Sequence, residues 1–262
     1  MFRATMQAAG SVQYLDLNLL SYNSKSLSIA NIPWSMQIST DGTKIYIMQN
    51  RLIEQFNLST AFDVSTGTSV GSYTANDMNN SVGFLAISSD GTNMILGDRA
   101  ERIYSYSLST AWDITTATYI NQITTPEVVG TNEIAVSEDG TKVYIADNNV
   151  APNSVRQYNL STAWNVSTAT YSNVFGANEI AVINGLDFKP DGTKMYINDN
   201  NPDAVHQYTL TTPWDVTTAV YDNISLDLTA LDQNAKSGVY GRTGKDYYFC
   251  GYATRTIYQM EG

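Results

Sequence analysis

A turn-and-strand pattern that repeats along the chain restricts the fold of this 262-residue sequence more than any other feature. Each copy runs from an Asp-Gly pair through a short apolar strand to a segment of the Leu-Ser-Thr-Ala-Trp-Asp type. The copies lie 49, 49, 52 and 52 residues apart, starting at Asp41, Asp90, Asp139, Asp191 and a degenerate Thr243. That period fits four short strands and their turns, which is one blade of a β-propeller. The spacing therefore predicts an all-β, five-bladed β-propeller with four-stranded blades.

The third copy shows how one blade is expected to form. Strand A covers 134–137 and strand B covers 142–146, and Asp139-Gly140 supplies the tight turn between them. Strand C covers 155–160 with period-two alternation, and strand D lies near 169–171. Aligning the other copies places the blades at about 34–74, 83–123, 132–173, 183–225 and 237–262.

The two ends of the sequence predict how the ring closes. The fifth copy stops after its strand C, whereas residues 19–29 resemble an outer strand that has no blade of its own. An N-terminal strand that completes the last blade would remove exposed sheet edges. We therefore expect one propeller domain over 19–262 that is completed by 19–29. Residues 1–18 are expected to form an N-terminal arm that is available for docking.

Composition excludes several classes of partner. A net charge of −11 leaves no basic surplus to neutralise nucleic-acid phosphates, and it equally disfavours an anionic membrane surface. No apolar run approaches the roughly 20 residues that span a bilayer. The first residues lack the basic and apolar regions of a secretion signal, which predicts cytoplasmic synthesis. Cys250 is the only cysteine and follows an apolar run, so we expect a buried structural thiol.

The amino-acid sequence of the repeat resembles that of a known group of repeat proteins. The segment DGTKMYI…VHQYTLTTPWDVTTAVY from Asp191 to Tyr221 resembles repeat propellers of bacteriophage tail, fibre and other virion-associated proteins. Similar repeats occur in environmental bacterial surface proteins. The resemblance covers blades 1 to 4 well and blade 5 weakly. It implies a protein of the virion or an extracellular location after lysis, with other virion proteins or further copies of itself as partners.

Variable loops predict where a ligand would bind. The A–B turns and C–D connections, on one face of the ring, are nearly constant between copies, whereas the B–C loops and D–A crossings on the other face differ in every blade. Loops on a rigid scaffold commonly carry binding residues. We therefore predict ligand contacts from polar and aromatic side chains of that face: Trp34, Asp98, Arg99, Asn148, Asn149, Asn201, Asp203, Tyr252 and Arg255. The repeated Trp residues of the C–D connections are expected to be structural.

Evidence for catalysis or a cofactor is sparse in the sequence. His206 is the only histidine and is expected to be an exposed strand residue, so no His-dependent nucleophile or common zinc site is predicted. Calcium is a weaker alternative for the Asp- and Asn-rich loops 147–149 and 199–203. If the chain were a glycan-cleaving enzyme, Glu133 and Asp187 beside strand A would be the candidate carboxylates, with Asp98 above them.

These observations lead to a non-enzymatic prediction. We expect a virion-associated adhesion protein whose loop face binds a host-surface glycan or a neighbouring virion protein. The alternative is a purely structural capsid or tail decoration protein, with a glycan-cleaving enzyme third. No resident cofactor is expected apart from the calcium alternative.

Overall fold

The computed structural model describes residues 14–80, 82–148 and 152–262. In these residues, five antiparallel sheets of four strands each form five blades. The innermost strands contact one another in a closed cycle, which arranges the blades around a central channel. The five-bladed prediction is confirmed. The described residues contain no helix whose length and hydropathy would let it cross a bilayer.

The strands and the 3-10 turns are numbered in chain order. Blade 1 contains β2 (Ser35–Ile38), β3 (Lys44–Gln49), β4 (Leu52–Leu58) and β5 (Gly67–Thr74). Blade 2 contains β6 (Gly83–Ile87), β7 (Asn93–Asp98), β8 (Arg102–Leu108) and β9 (Ala117–Thr124), and blade 3 contains β10 (Thr131–Val136), β11 (Lys142–Asp147), β12 (Ser154–Leu160) and β13 (Ala169–Gly176). Blade 4 contains β14 (Ile183–Phe188), β15 (Lys194–Asn200), β16 (Asp203–Leu210) and β17 (Ala219–Asp227). Blade 5 contains β18 (Ala235–Tyr240), β19 (Asp246–Gly251), β20 (Thr256–Glu261) and β1 (Ser21–Ser28). The 3-10 turns are η1 (Leu17–Leu19), η2 (Val64–Thr66), η3 (Ile114–Thr116), η4 (Val166–Thr168) and η5 (Val216–Thr218).

An aromatic side chain packs on the A–B turn in blades 1 to 4, Phe62 in blade 1 and a Trp in each of the other three. In blade 4, Gly192 has φ +72° and the Trp214 ring packs directly on it, because a glycine leaves no Cβ in the way. The Trp214 backbone N–H donates to the Gly192 carbonyl at 3.0 Å. Asp215 then caps η5 by accepting from the Thr217 N–H. Blades 1 to 3 repeat this arrangement, so the expected structural role of these aromatic residues follows from their contacts.

One hydrogen bond recurs at every junction between blades. A polar side chain on strand C accepts from the backbone N–H of a 3-10 turn in the next blade, which satisfies a buried donor. The five acceptor and donor pairs are Gln55 with Ile114, Ser105 with Val166, Gln157 with Val216, Gln207 with Leu17, and Gln259 with Val64. Five apolar clusters fill the spaces between neighbouring blades.

The N-terminal strand closes the ring as predicted. β1 pairs antiparallel with β20, with Ser21 opposite Glu261 and Ser28 opposite Thr256. Just before it, η1 occupies the place of the C–D connection that blade 5 otherwise lacks, and Leu17 is fully buried. Residues 14–20 therefore pack against blades 4 and 5, and the remainder of the predicted arm lies outside the described residues.

Candidate functional site

The central channel contains a cavity of about 70 Å³. Strands A supply its walls, including Ser35, Glu133, Asp187 and Ser237. Residues of the A–B turns extend the lining to one face of the propeller: Ser89, Glu138, Pro190 and Arg242. At roughly 30 Å³ per water molecule, the cavity has room for about two waters. It lies on the face that the sequence analysis considered structural, opposite the variable loops.

Glu133 is the most deeply buried carboxyl group of this cavity, with 1% of its surface exposed. Its Oε1 accepts from the Ser35 Oγ at 2.9 Å and from the Ile134 N–H at 3.0 Å. Its Oε2 has no hydrogen bond of standard geometry. Burial raises the pKa of Glu133 to about 8, partly opposed by hydrogen bonding from Ser237, Ile134 and Ser35. At neutral pH this side chain is therefore mainly a protonated acid.

Asp187 is the second carboxyl group of the cavity; it is partly buried and lies closer to the A–B turns. Its Oδ2 accepts from the Tyr240 N–H at 2.8 Å. Burial raises the pKa of Asp187 to about 6, while backbone hydrogen bonds and the Arg242 guanidinium oppose the rise. The charge of Asp187 in turn contributes to the raised pKa of Glu133. One carboxylate and one carboxylic acid therefore share the cavity at neutral pH.

An ion pair spans the rim of the cavity. Arg242 Nη2 lies 2.7 Å from Glu138 Oε2, which connects the A–B turns of blades 5 and 3. Both side chains are partly exposed, so the pair contributes little to stability and can open at low cost. Both residues belong to the lining of the cavity at its A–B turn end.

The structure brings three of the predicted ligand residues together at the other end of the channel. The Trp34 and Tyr252 rings meet edge to face at 5.4 Å between centroids, and the Arg99 guanidinium lies 4.7 Å from the centre of the Trp34 ring. Sequence reasoning missed the fourth member, Lys236, which contacts both rings. Its position offered a signal, because the matching strand A residues of the other blades are Trp34, Gly83, Asn132 and Asn184, none of them basic.

Three other predicted ligand residues hold backbone segments. Asp98 accepts from the N–H groups of Asn79 and Asn80 at 3.2 and 3.0 Å. Asn148 bonds both polar groups of Ile183, and Asp203 accepts from the Ala235 N–H at 2.7 Å. These contacts tie each loop to a neighbouring chain segment. Ligand contact by these side chains stays a prediction.

Of the last three predicted ligand residues, two are not gathered into a site, and nothing is described of the third. Asn201 is exposed and precedes a cis proline, and Arg255 is exposed with one long hydrogen bond to the Ala30 carbonyl at 3.4 Å. Asn149 lies outside the described residues.

His206 is half-buried beside Tyr221 rather than exposed, and burial lowers its pKa. The expectation of an exposed histidine was wrong because the Tyr221 ring of strand D covers it.

The loops proposed for calcium use their carboxylates for the protein's own backbone. Asp199 accepts from the N–H groups of Ala181, Val182 and Asn201. Asp147 accepts from the Val129 N–H and pairs with Arg156 at 2.9 Å. Across the described ranges, no group of three or more His, Cys, Asp or Glu side chains is arranged to hold a metal ion. The calcium alternative stays a prediction, and we derive no chemical step through a metal.

Comparison with known proteins identifies the family. The fold and the cavity define a five-bladed propeller with two carboxyl groups in a cavity on its axis. Residues 53–224 match the model of the SMP-30/gluconolactonase/LRE-like region, so the chain belongs to this family. A comparison with curated proteins finds no match.

Solved structures agree at the level of the fold. The β-propeller domain of Cps50 (Swd1) from Myceliophteria thermophila is similar at a TM-score of 0.53 and 9% identity, covering 93% of this chain and 99% of that one. A Bacteroides fragilis protein assigned as a 6-phosphogluconolactonase is similar at a TM-score of 0.49 and 14% identity, covering 73% and 54%. The first likeness shows the architecture alone, and the second is too weak to carry an argument.

The family corrects the resemblance to virion propellers. The segment that carried the resemblance consists of the A–B turn, strand C and the Trp connection, all of which are scaffold in the structure. Scaffold residues specify a fold and not a location. The prediction of a virion-associated structural or adhesion protein is wrong, because the chain belongs to another family. The prediction that the protein is not an enzyme is also wrong, because the description of that family names a gluconolactonase.

The two carboxyl groups on the axis, Glu133 and Asp187, differ from the residues at the matching positions of the other blades. Glu133 stands where the other blades have Ser35, Phe84, Gly185 and Ser237, and Asp187 stands where they have Gln37, Ala86, Ala135 and Val239. Both therefore depart from the repeat. Both residues can be found in the sequence, but the burial of Glu133 and the raised pKa of both groups depend on the closed ring.

Proposed function

We propose that this protein is a hydrolase of cyclic esters, a lactonase, acting in the axial cavity. The observation that carries the proposal is a pair of carboxyl groups in one cavity, the buried Glu133 and the partly buried Asp187, whose pKa values are about 8 and about 6. Two titratable groups with separated pKa values are the usual arrangement for a base and an acid that work together. Membership of the SMP-30/gluconolactonase/LRE-like family supports a lactone as the substrate class.

The chemistry follows from the protonation states between about pH 6 and pH 8. The Asp187 carboxylate accepts a proton from a water molecule as the water oxygen attacks the carbonyl carbon of the lactone. Glu133, protonated on Oε2 because Oε1 already accepts two hydrogen bonds, donates its proton to the ring oxygen as the C–O bond breaks. Water is added across the ester bond and a hydroxy acid leaves. The two groups regain their starting protonation states by proton exchange.

The size of the cavity determines how the substrate is placed. A volume of about 70 Å³ holds the ester group and its water, and it is well below that of a pocket which encloses a whole small molecule. The remainder of the substrate lies at the A–B turn face. Opening of the Arg242–Glu138 ion pair gives it access.

A panel of γ- and δ-lactones tests the proposal directly. Acid release is followed by pH-stat titration for the full chain and for Glu133→Gln and Asp187→Asn. Each substitution keeps the shape of the side chain and should lower kcat/KM by about 100-fold or more. The control is Asp77→Asn, a change of the same kind on an exposed loop residue. Absence of hydrolysis by the folded wild type, or equal rates in the cavity variants, would overturn the proposal.

A further inference from the structure

Two cations share one aromatic ring at the B–C loop end of the channel, opposite the opening of the cavity. The Arg99 guanidinium lies 4.7 Å and the Lys236 ammonium 5.4 Å from the centre of the Trp34 ring. Lys236 also lies 5.3 Å from the centre of the Tyr252 ring. Only 8% of the Lys236 surface is exposed, so this charge is held away from water. We call these four residues the cationic cluster.

The cationic cluster has no acidic partner among the described residues. The six ion pairs of the described chain involve other cations, although the sequence contains 25 acidic against 14 basic residues. Asp203 and Asp232 lie close enough to favour the charged form of Lys236, but neither forms an ion pair with it, and both accept backbone N–H bonds. Burying a charge is costly unless it is paired, and two like charges repel each other. Among the described residues, neither cation of the cluster is therefore in direct contact with a carboxylate.

The side chains of the cationic cluster are held in place before any ligand arrives. The Arg99 Nη2 donates to the Asn132 Oδ1 at 2.8 Å, and the Trp34 Nε1 donates to the Asn50 Oδ1 at 3.1 Å. An arginine fork fits the oxygens of a phosphate or carboxylate in two-point contact, and a lysine adds a point charge. Fixed donors of this kind lower the entropy lost on binding.

We propose that the cationic cluster binds a small anion, the phosphate or carboxylate group of a soluble metabolite, between Arg99 and Lys236. The bound oxygens compensate both cations and relieve their repulsion. This site lies at the end of the channel opposite the opening of the lactone cavity and does not depend on the proposed hydrolysis. An anion site also accounts for the absence of ion pairs at Arg99 and Lys236 in a protein that is rich in carboxylates.

Calorimetric titration of the full chain tests the anion site. The probes are inorganic phosphate and gluconate, with glucose as the uncharged control, all at constant ionic strength. We expect saturable binding of at least one anion, no binding of glucose, and a rise in Tm with anion concentration. Phosphate and gluconate compared under the same conditions show whether phosphate or carboxylate is preferred.

Variants identify the residues and separate the two proposals. Arg99→Gln changes an exposed side chain and should weaken anion binding at least tenfold with little change in Tm, and Lys236→Met should weaken binding by a similar factor. Lys245→Gln removes an exposed cation on the opposite face and should bind as the wild type does. Glu133→Gln should also retain binding, whatever its effect on lactones. Absence of saturable binding by the wild type, or unchanged binding by Arg99→Gln, would show a cation–π cluster only and overturn the inference.

Discussion

A single buried carboxyl group, Glu133, should make this protein less stable as the pH rises. Its pKa is about 8 in the folded state against an ordinary value of 4.5. The folded state therefore holds the proton more tightly than the unfolded state, and the free energy of unfolding falls between about pH 4.5 and pH 8. Glu133 is kept protonated, and its Oε2 has no hydrogen bond of standard geometry. Because this arrangement does not stabilise the folded state at neutral pH, we interpret it as serving catalysis.

Glu133→Gln should accordingly stabilise the protein at high pH. The amide keeps the two hydrogen bonds to Oε1 and carries no charge, so the free energy of unfolding at pH 8 should rise by on the order of 3 kcal/mol. Urea unfolding at pH 5 and pH 8 measures the change, with Asp77→Asn as the control. A variant that is less stable than the wild type at both pH values would contradict this account of Glu133.

The pH dependence of hydrolysis should follow the same two groups. Activity requires Asp187 ionised and Glu133 protonated, so kcat/KM should fall below about pH 6 and again above about pH 8. A pH series with one lactone over pH 5 to 9 gives the profile, with rates corrected for spontaneous hydrolysis. A rate that rises steadily with pH would show that Glu133 does not act as the acid.

The candidate site could be predicted from the sequence only in part. Glu133 and Asp187 were found because the repeat places them beside strand A. Their pKa values could not be inferred, since burial depends on five blades meeting around one axis. Trp34, Arg99 and Tyr252 were found as aromatic or charged residues of variable loops. Lys236 was missed because a lysine within a strand is ordinarily interpreted as a solvent-facing residue.

Blades 1 to 4 each depend on the contact between the A–B glycine and the aromatic residue of the C–D connection. Gly192 has φ +72°, and a Cβ added there would lie 2.4 Å from Trp214 atoms. Gly192→Ala should therefore destabilise the protein by about 2 kcal/mol or more, through the strained backbone and the displaced ring. Thermal unfolding measures this, with Gly176→Ala as the comparison.

Gly176 is a suitable comparison because its φ is not left-handed and its nearest obstacle, Pro152, lies at 3.0 Å. Equal melting temperatures for the two alanine variants would refute the contact argument.

The Asp-Gly turns and the strand alternation made these elements predictable. The left-handed backbone of Trp214 was not predictable, because bulky residues rarely adopt it and only the packing on Gly192 explains it.

The closed ring depends on the short segment that precedes the first strand. Leu17 is fully buried in the apolar cluster between blades 4 and 5, and its N–H donates to Gln207. Leu17→Ala should cost about 3 kcal/mol, in the range of other buried leucines. Leu19→Ala, two residues away and 59% exposed, should change little. Chemical unfolding measures the free energy of unfolding of both variants. Similar decreases in the two variants would show that η1 does not stabilise the closed ring.

The pairing of β1 with β20 has a mechanical consequence. β1 and β20 belong to the same sheet, and their partners Ser21 and Glu261 are 240 positions apart in the sequence. At every boundary between blades, by contrast, the polypeptide itself crosses from one sheet to the next. The only seam in the circle that no covalent bond crosses therefore runs through the middle of a blade. Force applied to the two termini would have to unzip a hydrogen-bonded ladder before any two blades could be pulled apart.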